Sequence, residues 1–212
     1  MKVVLISDTH NREIDLPEGD VLIIAGDLTK NGTRSQISMF NDWIGGQSHK
    51  YKHKPVAVAG NHDFMFETDR RHAESLLTSC VYLEDQMLVL DGKKIYGSPW
   101  TPTFFNWAFM KDRGEQIRHY WDLIPDGLDL LVTHGPPWGI LDDVGRHTKQ
   151  HVGCEELLGV LTEELKSPPR FHAFGHIHEG HGCHITDKTW YYNVSVCDEN
   201  YQPTNPATVI EI

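Results

Sequence analysis

No CxxC pair occurs in this chain. Its four cysteines, Cys80, Cys154, Cys183 and Cys197, stand far apart, which excludes a zinc site built on thiolates. Nor does the chain open like an export signal. The apolar run Val3 to Ile6 is too short, and Ser7-Asp8 breaks it. Reduced thiols in the cytoplasm are the expectation. No stretch is apolar for long enough to span a bilayer, so no membrane partner is expected. A basic excess is also missing: 19 Lys and Arg face 30 Asp and Glu, a net charge of −11. That balance excludes a broad surface for a nucleic-acid duplex or an anionic membrane, because both need a basic patch to replace counterions. It leaves room for one small phosphorylated ligand, since bound cations invert the local field. Repeats, low-complexity segments and Ser/Gly linkers are absent, and Lys166 to Arg170 (KSPPR) is short punctuation. One domain over 1–212 is expected.

Hydrophobic residues make up 39% of the chain and charged residues 23%, enough for a real core. Short apolar runs recur at Val3–Ile6, Val21–Ala25, Pro55–Ala59, Leu128–Val132 and Phe171–Phe174. The first four show little alternation, as strands buried on both faces do. Helical spacing lies between them. Ile37, Phe40 and Ile44 mark a helix over Thr33 to Ile44, with Gly45-Gly46 as its stop. Leu157, Leu158, Leu161 and Leu165 mark another over Cys154 to Lys166. Strands alternating with helices give an α/β domain. Later runs, Met87–Leu90, Lys94–Tyr96, Tyr191–Val196 and Thr208–Ile212, have no helices between them and suggest added antiparallel strands.

Each of the five buried-looking runs leads directly into metal-competent residues. They are Asp8 and His10; Asp27; Asn61, His62 and Asp63; His134; and His176 with His178. In open α/β sheets ligands bind outside the carboxyl ends of the strands, so parallel neighbours would bring these side chains to one rim. Gly26, Gly60 and Gly175 precede three of the clusters and permit close-approach turns. Taken singly, each cluster also fits a turn, a cap or a strand end. Two imidazoles in the stretch FGHIHEG are equally at home in a solvated turn. Five clusters in this order, each at a strand end, favour chemistry.

The series Asp8-x-His10, Gly26-Asp27, Gly60-Asn61-His62-Asp63, His134-Gly135 and Gly175-His176-x-His178 resembles the five blocks of the calcineurin-like metallophosphoesterases. A narrower resemblance, to the small metallophosphoesterase-domain-containing proteins of animals and their bacterial relatives, rests on four segments. These are GSPWTPTFFNWAF (97–109), THGPPWGILD (133–142), VGCEELL (152–158) and HIHEGHG (176–182). Some animal members lack the first histidine of the last block, which this chain keeps as His176. The resemblance implies two stacked mixed β-sheets flanked by helices, a four-layer sandwich. It also implies two divalent metal ions. Asp8, His10 and His178 would hold one, Asn61, His134 and His176 the other, and Asp27 would bridge both. His62 would face the substrate, oriented by Asp63.

That set suits hydrolysis of phosphodiesters of small nucleotide or cyclic-nucleotide type by a water acidified between the two metals. His62 would protonate the leaving alkoxide. Imidazole, carboxylate and amide ligands without thiolate suit Mn²⁺, Fe or Zn²⁺, and Mn²⁺ is favoured. Asn11 and Arg12 are candidate substrate contacts, with Arg12 able to grip a phosphate oxygen bidentately. Trp107 and Phe104 are expected in the core. Trp100 and Trp138 sit in Pro-rich loops, where packing competes with stacking on a base. His181 and His184 are expected as exposed turn residues. Two other functions share the site, a nucleotide-monophosphate-binding regulatory protein with little turnover and a phosphomonoesterase. A metallo-β-lactamase-type hydrolase is disfavoured because no HxHxDH run occurs.

Overall fold

A computed structural model describes residues 1–145 and 150–212. The first sheet is built on β1 (Lys2–Ile6), β2 (Val21–Ala25), β3 (Val56–Val58) and β4 (Val81–Tyr82), all parallel to their neighbours. The second begins with β5 (Gln86–Leu90) and β6 (Lys93–Ser98), an antiparallel pair. A small parallel pair follows, β7 (Thr101–Pro102) with β8 (Met110–Lys111). The second sheet continues through β9 (Leu130–Thr133), β10 (Phe171–Phe174), β11 (Gly182–Ile185) and β12 (Trp190–Asn193). The last strand, β13 (Thr208–Glu211), returns antiparallel to β1. The strand orders are β13-β1-β2-β3-β4 and β11-β12-β10-β9-β6-β5.

The lack of alternation in the strand sequences has a direct cause. Val3, Leu5, Val21, Ile23, Val56 and Val58 pack between the two sheets, with Ile95, Leu130 and Val132 opposite. Their sequence neighbours Val4, Ile6, Leu22 and Ile24 point the other way, into the cluster that holds the helix residues. Both faces of each central strand are therefore apolar. Helix α1 (Arg34–Gln47) supplies Ile37, Phe40 and Ile44 to one outer layer. Of the later helices, α2 (Phe64–Thr68) and α3 (Arg70–Leu76) follow β3. Helices α4 (Glu115–Trp121) and α5 (Glu155–Gly159) flank the second sheet's connections.

Three sequence expectations need correction. Gly45-Gly46 does not stop α1, which runs on to Gln47; Ser48 donates its backbone N–H to Gly45 and closes it there. Each glycine costs the helix about 1 kcal/mol relative to alanine, and burial of Phe40, Trp43 and Ile44 holds the turn in place. The helix expected over Cys154 to Lys166 starts at Glu155 and loosens into a π-type turn over Val160–Glu164. The added strands are only partly antiparallel: β6 runs parallel to β9, and β12 parallel to β10.

The two sheets join where the site lies. Just past β1, Ser7 donates its N–H to Val194, and Val196 donates to the Ser7 carbonyl, at 2.9 and 3.0 Å. Among the described residues no helix is long and apolar enough to cross a membrane. All four cysteines are free.

Candidate metal centre

The loops after β1, β2, β3, β9 and β10 converge at one end of the sandwich. Asp8 and His10 follow β1, Asp27 follows β2, Asn61 and His62 follow β3, His134 follows β9, and His176 and His178 follow β10. Asp8, His10, Asp27 and His176 adopt left-handed backbone, with φ of 56°, 45°, 50° and 69°. Such conformations are costly for non-glycine residues and concentrate at functional sites. A Cβ on Gly60 would collide with the Asp27 carboxylate and the His134 ring. One on Gly175 would collide with Asp8 and Ser7. Glycine at these two positions lets the loops close on the carboxylates.

The contacts define two overlapping clusters. His178 Nε2 lies 3.4 Å from Asp8 Oδ1 and 3.3 Å from His10 Nε2. His134 Nε2 lies 3.5 Å from Asp27 Oδ1 and 2.8 Å from Asn61 Oδ1. Asp27 also stands 3.8 Å from both His10 Nε2 and His62 Nε2. Among the described residues, three triads bring their ligand atoms within 4.8 Å of one another: Asp8, His10 and His178; Asp8, Asp27 and His134; and His10, Asp27 and His62. The His176 ring packs 5.0 Å from His134, and its backbone N–H donates to Asp8 at 3.0 Å.

The donor chemistry fits divalent cations. The Nδ1 of His134 donates to the Ala25 carbonyl at 3.0 Å, and that of His178 to the Asp198 carbonyl at 2.8 Å. A carbonyl only accepts, so each ring turns its Nε2 inward, an arrangement typical of metal-ligating histidines. Asp8 is held by the Ser7 and Ser195 hydroxyls at 2.5 and 2.8 Å.

Electrostatics point the same way. Burial alone would raise the carboxyls of Asp8 and Asp27. The hydrogen-bonded His178 imidazole for Asp8, and that of His134 for Asp27, outweigh it and hold both below the usual carboxylate range. Burial would lower His134 and His178, but Asp27 and Asp8 respectively push both up to about 9. Burial wins at His10 and His176, which fall to about 4 and about 3. The metal-free site thus stores positive charge beside two buried carboxylates.

The sequence model of the calcineurin-like phosphoesterase family matches residues 1–180. The chain belongs to this family. Metallophosphoesterase domain-containing protein 1 of Homo sapiens is 42% identical over 236 residues, covering 100% of this chain and 71% of that protein. The same protein of Mus musculus gives the same values. Among solved structures, TT1561 of Thermus thermophilus has a TM-score of 0.57 at 12% identity, covering 99% of this chain and 98% of that one. Another reaches 0.68 at 18% identity, covering 91% and 89%. These two likenesses bear on the fold, two mixed sheets flanked by helices. The family's members are metal-dependent phosphoesterases and generally bind two divalent ions.

Several side chains lie elsewhere than the sequence suggested. The Asp63 carboxylate makes no hydrogen bond to the His62 ring. Its buried carboxylate accepts from the N–H groups of Leu28, Thr29 and Gly60 and from the Thr29 hydroxyl, at 2.7 to 3.0 Å. Neighbouring residues in this tight turn diverge, and the Lys30 carbonyl, 2.8 Å from Nδ1, orients His62 instead. Asn11 is engaged with the Gln36 carbonyl and the Lys30 N–H, at 2.8 and 3.2 Å, and ties the loop to α1. Arg12 is exposed and does not line the adjoining cavity. Phe104 and Trp107 are not core residues; both line that cavity. Trp100 is buried and stacks on Tyr120 at 3.9 Å. Trp138 packs beside His151 at 5.7 Å. His181 is half-buried, while His184 is exposed. Tyr201, which carries no motif, lies 4.8 Å from His10 and 5.3 Å from His178.

Proposed function

We propose that the protein is a metal-dependent phosphodiesterase acting on small nucleotide or cyclic-nucleotide type esters. The observation that carries this is the placement of His62. Its Nδ1 is held by the Lys30 carbonyl, and its Nε2 stands 3.8 Å from Asp27 on the wall of a cavity of about 530 Å³. A proton donor placed there assists the departure of a poor leaving group such as an alkoxide.

Asp8, His10 and His178 would hold one ion, Asn61, His134 and His176 a second, with Asp27 between them. Bound there, two divalent ions supply charge stabilisation to phosphoryl oxygens and acidify water at neutral pH. The chain's own residues bind and orient. The Ala25 and Asp198 carbonyls fix the His134 and His178 rings, the two serines fix Asp8, and His62 delivers a proton at Nε2. Imidazole, carboxylate and amide donors without thiolate favour Mn²⁺, with Fe or Zn²⁺ as alternatives.

The test is hydrolysis of bis-p-nitrophenyl phosphate against p-nitrophenyl phosphate after metal removal and add-back. Metal-restored activity, stronger on the diester and lost in Asp27→Ala, is the expected result. No turnover with two ions bound per chain would overturn it in favour of nucleotide-monophosphate binding.

A further inference from the structure

The cavity beside the metal-competent residues is lined by the apolar or aromatic Pro102, Phe104, Trp107, Val144, Val152 and Tyr201 as well as by polar residues, Glu179 and Glu199 among them. Two of its rings flank His62: the centroids of Trp107 and Tyr201 lie 4.2 and 6.1 Å from that of the imidazole. Both are supported from behind. Trp107 stacks on Phe64 at 6.2 Å with an interplanar angle of 29°, and the next residue, Ala108, donates its N–H to the Asn61 carbonyl. Tyr201 sits at φ 58° in a turn closed on Asp198, the residue whose carbonyl anchors His178. Phe104, 62% exposed, stands at the mouth.

Arg113 also lines this space, but its guanidinium is engaged. It donates to the Val152 and Gly153 carbonyls, each at 2.8 Å, and to the Glu155 carboxylate at 2.5 Å. The cavity therefore presents supported ring surfaces next to His62. Aromatic rings prefer edge-to-face and offset partners. An apolar wall with a few polar groups at one end is the usual form of a ligand pocket.

We propose that Trp107 and Tyr201, with Phe104 at the rim, form an aryl subsite that takes a planar aromatic arm of the phosphorylated ligand. The proposal rests on the function argued above only for the phosphoryl end.

Calorimetric titration of the metal-loaded protein with methylphosphonate, phenylphosphonate and cyclohexylphosphonate tests it. Phenylphosphonate should bind about tenfold more tightly than methylphosphonate, with cyclohexylphosphonate between them. In Trp107→Ala and in Tyr201→Ala that advantage should fall to about threefold or less. The quantity read is the ratio of phenyl to methyl affinity within each variant, which a general weakening of the phosphoryl end leaves unmoved. Equal binding of the methyl and phenyl probes, or an advantage that survives both substitutions, overturns the subsite. Cyclohexylphosphonate binding as tightly as phenylphosphonate overturns its aromatic character. The two readings fail separately: aryl preference without diester hydrolysis retires the enzyme and keeps the subsite, and hydrolysis without aryl preference does the reverse.

Discussion

His62 donates its Nδ1–H to the backbone carbonyl of Lys30 at 2.8 Å, which turns Nε2 toward Asp27, 3.8 Å away. The anchor is main chain, so no substitution of a neighbouring side chain should release the ring. Removing the ring itself should slow hydrolysis without emptying the site. In His62→Ala, diesterase activity should fall by about 10²–10⁴-fold, most for poor leaving groups. Metal content by elemental analysis should match the parent. Loss of both ions in this variant would show that His62 is a ligand.

Asp63 acts on the scaffold. Its carboxylate gathers four donors from the turn after β2 and from Gly60. Asp63→Ala strands them in a buried setting and should cost about 3 kcal/mol or more in unfolding free energy. Denaturant titration measures this. A variant of parental stability but altered leaving-group dependence would return Asp63 to a role beside His62.

Metal uptake should compete with protons. In the metal-free protein His134 and His178 hold their protons up to about 9, whereas a ligating imidazole is neutral. The ion-pair stability these raised values confer is full below the unfolded histidine pKa of about 6.5 and fades as pH rises toward 9. Apparent metal affinity should climb with pH until those protons are lost near 9. Calorimetry at pH 7 in buffers of different ionisation enthalpy should register proton release on binding. Uptake without proton release would mean the two rings are neutral beforehand.

His172 gives an acid-side signature. It is fully buried on β10, 2.8 Å from the Thr133 hydroxyl, and burial lowers it to about 3. Between about 6.5 and 3 the unfolded chain binds a proton there that the folded chain refuses, so stability falls as pH falls. Unfolding of the metal-free protein and of His172→Gln, followed across pH, isolates the effect. The parent should lose stability relative to the variant below about pH 6.5. Parallel curves would show that the ring takes up its proton equally well in the folded and unfolded chain.

Much of this is legible in the sequence for one physical reason. Strands buried on both faces are mostly apolar, so the polar residues that follow each one stand out: Asp8, Asp27, Asn61, His134 and His176. What escapes is of two kinds. Main-chain acceptors such as the carbonyls of Ala25, Lys30 and Asp198 have no residue signature, although they set three imidazoles. Aromatic residues give no sign of which surface they cover, so Trp107 and Phe104 read as core. Adjacency in sequence suggests contact between Asp63 and His62, yet the turn sends the two side chains apart.

The residues of the centre are drawn from both sheets. Asp8, His10 and Asp27 come from the first, His134 and His178 from the second. Two of the ligand triads draw from both. A cation held there would act as a cross-link between the layers, tying positions 8 and 178 or 27 and 134 much as a disulfide ties distant loops. The reaction centre and a clasp of the sandwich would then be one object, and a chelator would loosen the layers as it stops the chemistry.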